Sequence, residues 1–388
     1  MQRVNAIIIR EWKRIFSIPY FYMVLLVIPP IVFVFYGLIY KNEFVRNLPI
    51  AVWDEDHSSI TRTLTDMLAA SDNINIAYTA SSEEEISELM RRSDIFGAIH
   101  FPKDLEADAK KNKPATITLF TNSSLIVPSN MVYKDAAPII IQGSLAAVLQ
   151  RAEKGGLPAS QAKALVQPIK LNISNLYNPE LNYKEYLVPG LVTVGLQMAL
   201  LVAGVLALNM EENRKTLGEL LSISSSSSEI IVGKTLAHIT VSWINFGLIF
   251  YVIFPLFGLA HPGNLSIFIA YNLLVLASLG LSFAVSAIVK NLLTAVEVAL
   301  FYAAPAFVFS GYTFPRSAMP WYDQYYALAM PYSHFLDAFI KLYYMHLPVD
   351  YVTKHLVSLL IFGGVGFPIA IVVYQMRINQ TLRNAAHS

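Results

Sequence analysis

Three groups of residues have types and spacings that could support chemistry, and the first lies at Gly233-Lys234-Thr235. These residues match the end of the motif G-x-x-x-x-G-K-[ST], in which backbone N–H groups surround a nucleotide phosphate. The motif requires a glycine at the position of Ser228 and a strand before the loop, and Lys234 leads instead into an apolar run. We therefore predict that this segment binds no nucleotide and that the chain cannot hydrolyse ATP by itself. We predict that Lys234 lies at the inner headgroup layer of a membrane.

The second group is the cluster Asp54, Glu55, Asp56 and His57, which follows a short β-rich run. Carboxylates beside a histidine could bind a cation or act as acid and base. Polar residues also collect in solvated loops at strand ends, and we favour that interpretation. The chain has no H-E-x-x-H pattern and no G-x-S-x-G pattern, so neither a metal site nor a hydrolase site is predicted. The absence of cysteine excludes disulfides and thiolate catalysis.

The third group consists of polar residues within apolar runs: Gln197, Asn245, Asn272 and Glu297. Glu297 follows Lys290 by seven residues, which places it about 10 Å deeper along a helix. Gln197, Asn245 and Glu297 are candidates for a translocation path, and for Glu297 a structural glutamate at a helix contact is the alternative. Both interpretations stay open. Pro305 in the same run should bend the helix.

The elements that position these groups follow from the composition. The 388 residues are 55% hydrophobic and 14% charged, which is more apolar than a soluble domain. The net charge of +1 does not favour a nucleic-acid partner. Six apolar runs are long enough to cross a membrane, and the first is too long for a cleaved signal peptide. They are Ile18–Tyr40, Leu187–Leu208, Leu236–Leu259, Leu265–Val289, Leu292–Tyr312 and Leu356–Tyr374.

The basic residues indicate the orientation of these spans. Ten of them fall on the side that carries both termini: Arg3, Arg10, Lys13, Arg14, Arg214, Lys215, Lys234, Lys290, Arg377 and Arg383. Outside the large insert, the other side has only Arg316, Lys341 and Lys354. The positive-inside rule therefore predicts a multi-pass protein with both termini in the cytoplasm.

The segment 41–186 has a different pattern, in which β-rich runs alternate with helical stretches. This alternation predicts a mixed or parallel sheet covered by helices. The predicted fold is thus a polytopic α-helical membrane protein with six transmembrane helices and an inserted mixed α/β extracytoplasmic domain. Residues 1–40 form an N-terminal amphipathic segment and the first span, and residues 187–388 form a five-helix transmembrane domain.

Two further segments lie between spans of that transmembrane domain. Segment 210–234 places Leu217, Leu220 and Leu221 on one helix face, and Ser226 with Glu229 has capping-box spacing before the next helix. Such a stiff charged element suits a membrane protein that receives force from a soluble partner, although a passive surface helix has the same pattern. Segment 313–355 is rich in tyrosine and proline, and predicts one or two short helices in or on the outer leaflet.

These two segments resemble those of type-2 ABC exporter permeases, and the likeness covers nearly the whole chain. The family shows E-x-x-x-G-T-x-E-x-L and a later G-K pair, and Lys215 stands where glycine is usual. The matching residues are Glu212, Thr216, Glu219, Leu220, Gly233 and Lys234. The outer hairpin matches at Ser310, Gly311, Pro315, Met319, Pro320 and Pro331. The large segment after the first span is similar to that of a subgroup with an extracytoplasmic insert.

The resemblance implies a permease subunit of a bacterial inner-membrane exporter for a drug, a lipid or another amphiphile. It implies a second permease subunit, identical or related, and separate ATPase subunits that bind ATP and magnesium, with no cofactor on this chain. A periplasmic adaptor could dock on the insert. The residues implied to couple the chain to the ATPase are Glu211, Glu212, Arg214, Lys215, Thr216, Leu217, Glu219, Leu220, Leu221 and Lys234. An envelope receptor or scaffold and a membrane enzyme are the alternative classes.

Overall fold

The computed structural model describes residues 1–39, 47–111, 113–122, 126–156, 158, 182–261, 263 and 265–387. They belong to two compact units, one formed by Met1–Glu43 with Asn175–Ser388 and the other by Phe44–Ser174. The sequence also predicts a short helix at residues 158–166, and residues 159–166 of it lie outside the described residues.

The chain begins with helix α1, Gln2–Ser17, which buries Ile7, Glu11 and Ile15 at a spacing of four residues. Helix α1 ends at Ile18, which is extended because the following Pro19 disfavours a helical conformation in the residue before it. Helix α2, Pro19–Ile39, follows at once and contains a π-helical turn at Met23–Val27.

The insert alternates strands and helices as predicted. The described elements are β1 Leu48–Asp54, α3 Ser59–Ala69, β2 Ile74–Thr79, α4 Glu83–Arg91, β3 Gly97–Phe101, α5 Leu105–Lys110, β4 Thr118–Thr121 and α6 Ile126–Lys154. The strand order is β2-β1-β3-β4; β1 pairs in parallel with β2 and β3, and β4 is antiparallel to β3. The sheet is therefore mixed, and apolar residues on both of its faces are buried against helices.

Within the insert, the sequence pattern predicts a helix over residues 102–111 that begins at its proline and a helix over residues 130–153 that is bent or broken near Pro138. The structure differs in both. Helix α5 begins at Leu105, after Asp104 in a left-handed conformation, so Pro102 is not its first residue. Helix α6 begins before the predicted Asn130 and continues through Pro138. An isolated proline within a long packed helix removes one hydrogen bond, and the remaining contacts of that helix can compensate for it.

The second part of the membrane unit contains the remaining helices. They are α7 Tyr183–Asn213, α8 Leu217–Ile223, α9 Ser227–Leu256, α10 Leu265–Ile288, α11 Leu292–Ala303, α12 Ala306–Phe309, α13 Trp321–Leu328, α14 Pro331–Tyr343 and α15 Thr353–His387. Within the described residues, six helical segments are long and apolar enough to cross a membrane, and they coincide with the six predicted runs. The predicted class, a polytopic helical membrane protein with a mixed α/β region, is confirmed.

Helix α10 lies at the centre of this bundle and packs against α7, α14 and α15. Its closest approach to α15 is at two glycines, because a Cβ atom added to Gly366 would lie 2.4 Å from the carbonyl carbon of Gly280. The two helix backbones are in direct contact there, as small residues permit in membrane proteins.

Proline 305 separates α11 from α12, so the predicted bend in the fifth span is confirmed as an interruption of the helix. The segment 313–355 forms two short α-helices, as predicted. The side chains of α14 are largely buried, and this helix packs against α10 and α15. Helix α13 keeps exposed aromatic residues, with Trp321 71% exposed.

Candidate functional site

The loop between α7 and α9 contains the short helix α8, with a turn on each side of it. Helix α7 ends at Asn213, Lys215 adopts a left-handed conformation with φ +56°, and α8 starts two residues later. Helix α9 begins at Ser227, where a helix start was predicted. The predicted capping box is wrong in detail. The Ser226 side chain caps nothing, and Ser224 Oγ instead accepts the Ser226 N–H (3.1 Å) and donates to Glu229 Oε2 (2.5 Å).

Five charged side chains from α1, α7 and α9 meet beside this loop, and we call them the ionic cluster: Arg10, Glu11, Arg14, Glu211 and Lys234. Lys234 Nζ donates to Glu11 Oε2 at 2.5 Å and to Glu211 Oε1 at 2.8 Å. All three of these side chains are at most 1% exposed. Lys234 is therefore enclosed by protein and is not exposed to lipid headgroups, and its depth at the inner headgroup layer stays a prediction.

Two arginines of α1 complete the ionic cluster. Arg10 donates to both carboxylate oxygens of Glu211, at 2.7 and 3.0 Å, and Arg14 donates to Glu11 at 2.7 Å and also to Glu211. Thr216 Oγ1 donates to Glu211 Oε2 at 2.6 Å. Through these contacts, Glu211 connects the end of α7 to α1, to the first part of α9 and to the turn before α8.

The electrostatics of the ionic cluster follow from its burial. Burial opposes ionisation of Glu11, but Lys234 and Arg14 outweigh it and lower the pKa of this carboxyl below its ordinary value. Burial also opposes the charge on Arg10, and the hydrogen bond to Glu211 outweighs that effect and raises the pKa of Arg10. Buried charges of this kind are stable only while their partners are present.

A second group of contacts joins the same end of α7 to α10 and α15. Arg377 Nη2 donates to Glu212 Oε2 at 2.6 Å, and Arg377 Nη1 donates to the carbonyl of Ser286 at 2.6 Å. Ser286 Oγ donates to Asn209 Oδ1 at 2.8 Å. The end of α7 is therefore bound by side chains to four neighbouring helices, α1, α9, α10 and α15.

The ten predicted coupling residues divide by exposure. The buried residues are Glu211, Leu217, Leu220 and Lys234. The two leucines lie on the buried side of α8, which packs against α1 and α7. The partly buried residues are Glu212, Thr216 and Leu221. The exposed residues are Arg214, Lys215 and Glu219, with Glu219 73% exposed and its carboxylate 3.5 Å from Arg10 Nη2.

The predicted path residues are not brought together. Gln197 is fully buried, and its amide has no hydrogen-bond partner within the described residues. Asn245 donates to the Leu25 carbonyl and joins α9 to α2, and Asn272 accepts from Trp243 at 2.8 Å. Glu297 is exposed on α11, on the same helix as the exposed Leu293 and Phe301.

The predicted hairpin residues shape turns. Ser310 Oγ donates to the Phe307 carbonyl at 2.7 Å, and Gly311 adopts φ +93° against the Arg316 side chain. Pro315 and Met319 flank the turn Arg316–Ala318, Pro320 precedes α13, and Pro331 is the first residue of α14. Arg316 and His355 approach Asp337 on α14, an acidic residue that was not predicted to have a role.

In the insert, the cluster after β1 has the form of a turn. Asp54 Oδ1 accepts the N–H groups of Asp56 and His57, each at 3.0 Å, and His57 is 82% exposed. Among the described residues, no three histidine, aspartate or glutamate side chains are grouped so that they could hold a metal ion. This geometry favours the solvated loop over a catalytic group.

The contribution of α1 to the ionic cluster was not predicted from the sequence. Arg10 and Arg14 were counted only as basic residues that set orientation, and Glu11 was not considered. A signal was present, because Glu11 interrupts the apolar stripe formed by Ile7 and Ile15 at helical spacing. A carboxylate in such a stripe needs a buried cationic partner.

Six apolar helical segments, most of them packed around one continuous core, define a multi-pass helical membrane protein whose inter-span loop is fixed by buried ion pairs. The chain belongs to the ABC-2 transporter family, since the profile described as "ABC-2 family transporter protein" matches residues 19–372. It is 26% identical over 326 residues to the "Probable multidrug ABC transporter permease YbhS" of Escherichia coli K12, covering 82% of each chain. It is 23% identical over 324 residues to the "Probable multidrug ABC transporter permease YbhR" of the same organism, covering 82% of this chain and 83% of the relative.

These findings confirm the family resemblance and the predicted function. The chain is a transmembrane permease subunit of an ABC exporter. They favour this function over an envelope receptor and over a membrane enzyme. The subgroup with a large extracytoplasmic insert stays a prediction.

Proposed function

We propose that this permease works in the bacterial inner membrane with separate ATPase subunits, and that α8 transmits their movement to the spans. The proposal is supported by the packing of α8 against the helix bundle. Leu217 and Leu220 are buried against the bundle, and Glu211 just before the loop is bound to α1 and α9. A force applied to α8 therefore reaches several helices without first bending a flexible loop.

The exposed side of the loop is the surface offered to the ATPase. It carries Arg214, Lys215 and Glu219, which can form charge pairs at a protein interface. ATP and magnesium bind to the ATPase in this proposal, and the permease binds no cofactor directly. The basic residues around α1 and the α7–α9 loop support a cytoplasmic location for this end, with both termini inside and residues 41–186 outside.

A second permease subunit, identical or related, covers the exposed face of α11. Glu297 lies on that face, and a carboxylate exposed to hydrocarbon is unfavourable. A subunit interface or a water-filled path would remove it from lipid. The substrate path then lies between the subunits, and the names of the relatives support drugs or other amphiphiles as substrates. The insert receives substrate or docks a periplasmic adaptor.

The test is purification of the tagged permease from native membranes, identification of the proteins that accompany it, and reconstitution of the complex in vesicles. We expect a separate ATPase, a second permease subunit, and ATP hydrolysis that depends on the ATPase. ATP hydrolysis by the permease alone would contradict the proposal. So would a tag in the α7–α9 loop that is accessible from outside intact cells.

A further inference from the structure

A cavity of about 240 Å³ opens between α1, the start of α2 and the loop that holds α8. Four basic side chains line it, Arg10, Lys13, Arg14 and Arg214, together with Glu219. Ser17 and Ile18, where α1 ends and the first span begins, form another part of the wall. The cavity thus lies beside the point at which the chain passes from α1 into the first membrane span.

The charges around this cavity are not balanced. The ionic cluster and the cavity lining together contain five basic side chains: Arg10, Lys13, Arg14, Arg214 and Lys234. They contain three carboxylates, those of Glu11, Glu211 and Glu219. The basic side chains therefore outnumber the carboxylates by two. Lys13 and Arg214 have no ion-pair partner among the described residues. The Arg14 side chain on the same wall is 10% exposed, and its guanidinium lies over the Phe21 ring, 5.5 Å from the ring centroid. Basic side chains without a carboxylate partner on one cavity wall favour an anionic ligand.

The outer side of α1 indicates where this ligand comes from. Ile9, Trp12 and Phe16 are exposed on α1 at spacings of three and four residues, opposite the buried Ile7, Glu11 and Ile15. An amphipathic helix with exposed apolar and aromatic residues lies in the headgroup layer of a membrane, parallel to its surface. Lys13 follows Trp12 on α1 and is also exposed, so the cavity that it lines lies beside this apolar side of the helix.

We propose that this cavity binds the phosphate headgroup of an anionic phospholipid from the leaflet in which α1 lies. Arginine side chains bind phosphate through paired hydrogen bonds, and basic pockets at the ends of membrane spans are suited to anionic headgroups. An acidic side chain of the ATPase has the same charge. The lipid is favoured because the wall includes Ser17 and Ile18, at the start of the span, and because α1 presents its apolar side to the membrane.

The experiment measures lipid binding to the full-length permease, purified in detergent and stripped of lipid, by native mass spectrometry. Phosphatidylglycerol, phosphatidylcholine and inorganic phosphate are titrated separately. We expect one tightly held phosphatidylglycerol per chain and no comparable binding of phosphatidylcholine. The double variant Lys13→Gln/Arg214→Gln should weaken the Kd for phosphatidylglycerol by about 30-fold, the order expected for two lost contacts between basic residues and an anionic lipid.

The matched control is Arg3→Gln/Lys290→Gln, which removes two basic residues that do not line the cavity. It should bind phosphatidylglycerol like the wild type, and gel filtration establishes that both variants are folded. Equal weakening in the two variants, or equal binding of phosphatidylcholine, would overturn the proposal. Inorganic phosphate that displaces the lipid at similar concentrations would assign the cavity to a free anion. Arg214 and Glu219 border both this cavity and the surface proposed to face the ATPase, so the lipid should stay bound when the ATPase is added. Displacement of the lipid by the ATPase would assign the cavity to that protein and would overturn the proposal.

Discussion

Lys234 on α9 and Glu211 on α7 form a fully buried ion pair with 2.8 Å between Nζ and Oε1. The two residues flank the loop that carries α8, so their contact closes the base of that loop. Arg10 and Arg14 of α1 bind the same carboxylate. The loop that the family resemblance assigns to coupling is therefore held in place by a helix from the start of the chain.

The ionic cluster predicts that Glu211→Gln destabilises the protein more than Lys234→Met. Loss of the Glu211 charge leaves three buried cations with one carboxylate, whereas loss of Lys234 leaves two arginines with two carboxylates. Breaking a buried pair typically costs about 3–5 kcal/mol, and we expect Glu211→Gln in that range and Lys234→Met about 1–3 kcal/mol. Unfolding by SDS in mixed micelles measures both, with the exposed Lys215→Met as the control. Equal effects of the two buried substitutions would contradict this account.

The pH dependence of stability follows from Glu11. Its pKa is lowered in the folded protein from the ordinary 4.5, so its ionised form stabilises the fold at any pH above that value. This stabilisation is lost as the pH falls below about 4.5 and through the lowered pKa. Glu11→Gln should therefore flatten the fall in unfolding free energy between about pH 5 and pH 3. The exposed Asp350→Asn is the control, and an unchanged slope in Glu11→Gln would be inconsistent with this role.

The division of α8 into buried and exposed residues predicts two kinds of coupling variant. Glu219→Lys should lower permease-dependent ATP turnover without changing the unfolding midpoint, because an exposed pair with Arg10 contributes only about 0–1 kcal/mol. Leu220→Asp should lower both, because it places a carboxylate at a fully buried position. Turnover is measured in vesicles with the cognate ATPase, with Asp350→Lys as the charge-reversal control. Normal turnover in Glu219→Lys would remove this residue from the coupling surface.

The exposed face of α11 predicts a subunit interface that cysteine cross-linking can detect. The natural chain has no cysteine, so a single Phe301→Cys or Leu293→Cys reports only on its own surroundings. Both side chains are more than 70% exposed beside Glu297. In membranes treated with a mild oxidant we expect a cross-linked dimer, or a cross-link to the paired relative when it carries the matching cysteine. Val365→Cys on α15, also exposed, should give none; equal cross-linking at all three positions would indicate random collision.

The contact between α10 and α15 predicts that alanine substitutions at two glycines of α15 change the stability of the bundle differently. Gly366→Ala should destabilise the bundle by about 1–3 kcal/mol, because the new Cβ would lie 2.4 Å from the Gly280 carbonyl carbon. Gly364→Ala meets no atom within 4 Å and should be neutral, or stabilising by up to about 1 kcal/mol. Thermal unfolding in detergent compares the two. A Gly366→Ala protein as stable as Gly364→Ala would mean that the helices are farther apart.

The family and most of the architecture could be predicted from the sequence, because each depends on local patterns. Apolar runs of the length of a bilayer identify spans without knowledge of their neighbours, and alternating β-rich and helical stretches identify the insert. Pro305 was expected to bend its span because proline acts on its own helix. The residues of the α7–α9 loop were recognised from a contiguous motif.

The partners of those residues depend on tertiary structure. Glu11 and Lys234 are 223 positions apart, and no local pattern indicates that α1 delivers a carboxylate and two arginines to the loop. The same holds for α14, which has the composition of an interfacial segment and is enclosed by α10 and α15. Composition and spacing alone predicted that this chain crosses a membrane, and the family to which its inter-span loop belongs was indicated by a contiguous motif. Which charges are buried and which remain available to a partner was decided only when distant helices packed together, because burial is a property of all the neighbours of a side chain.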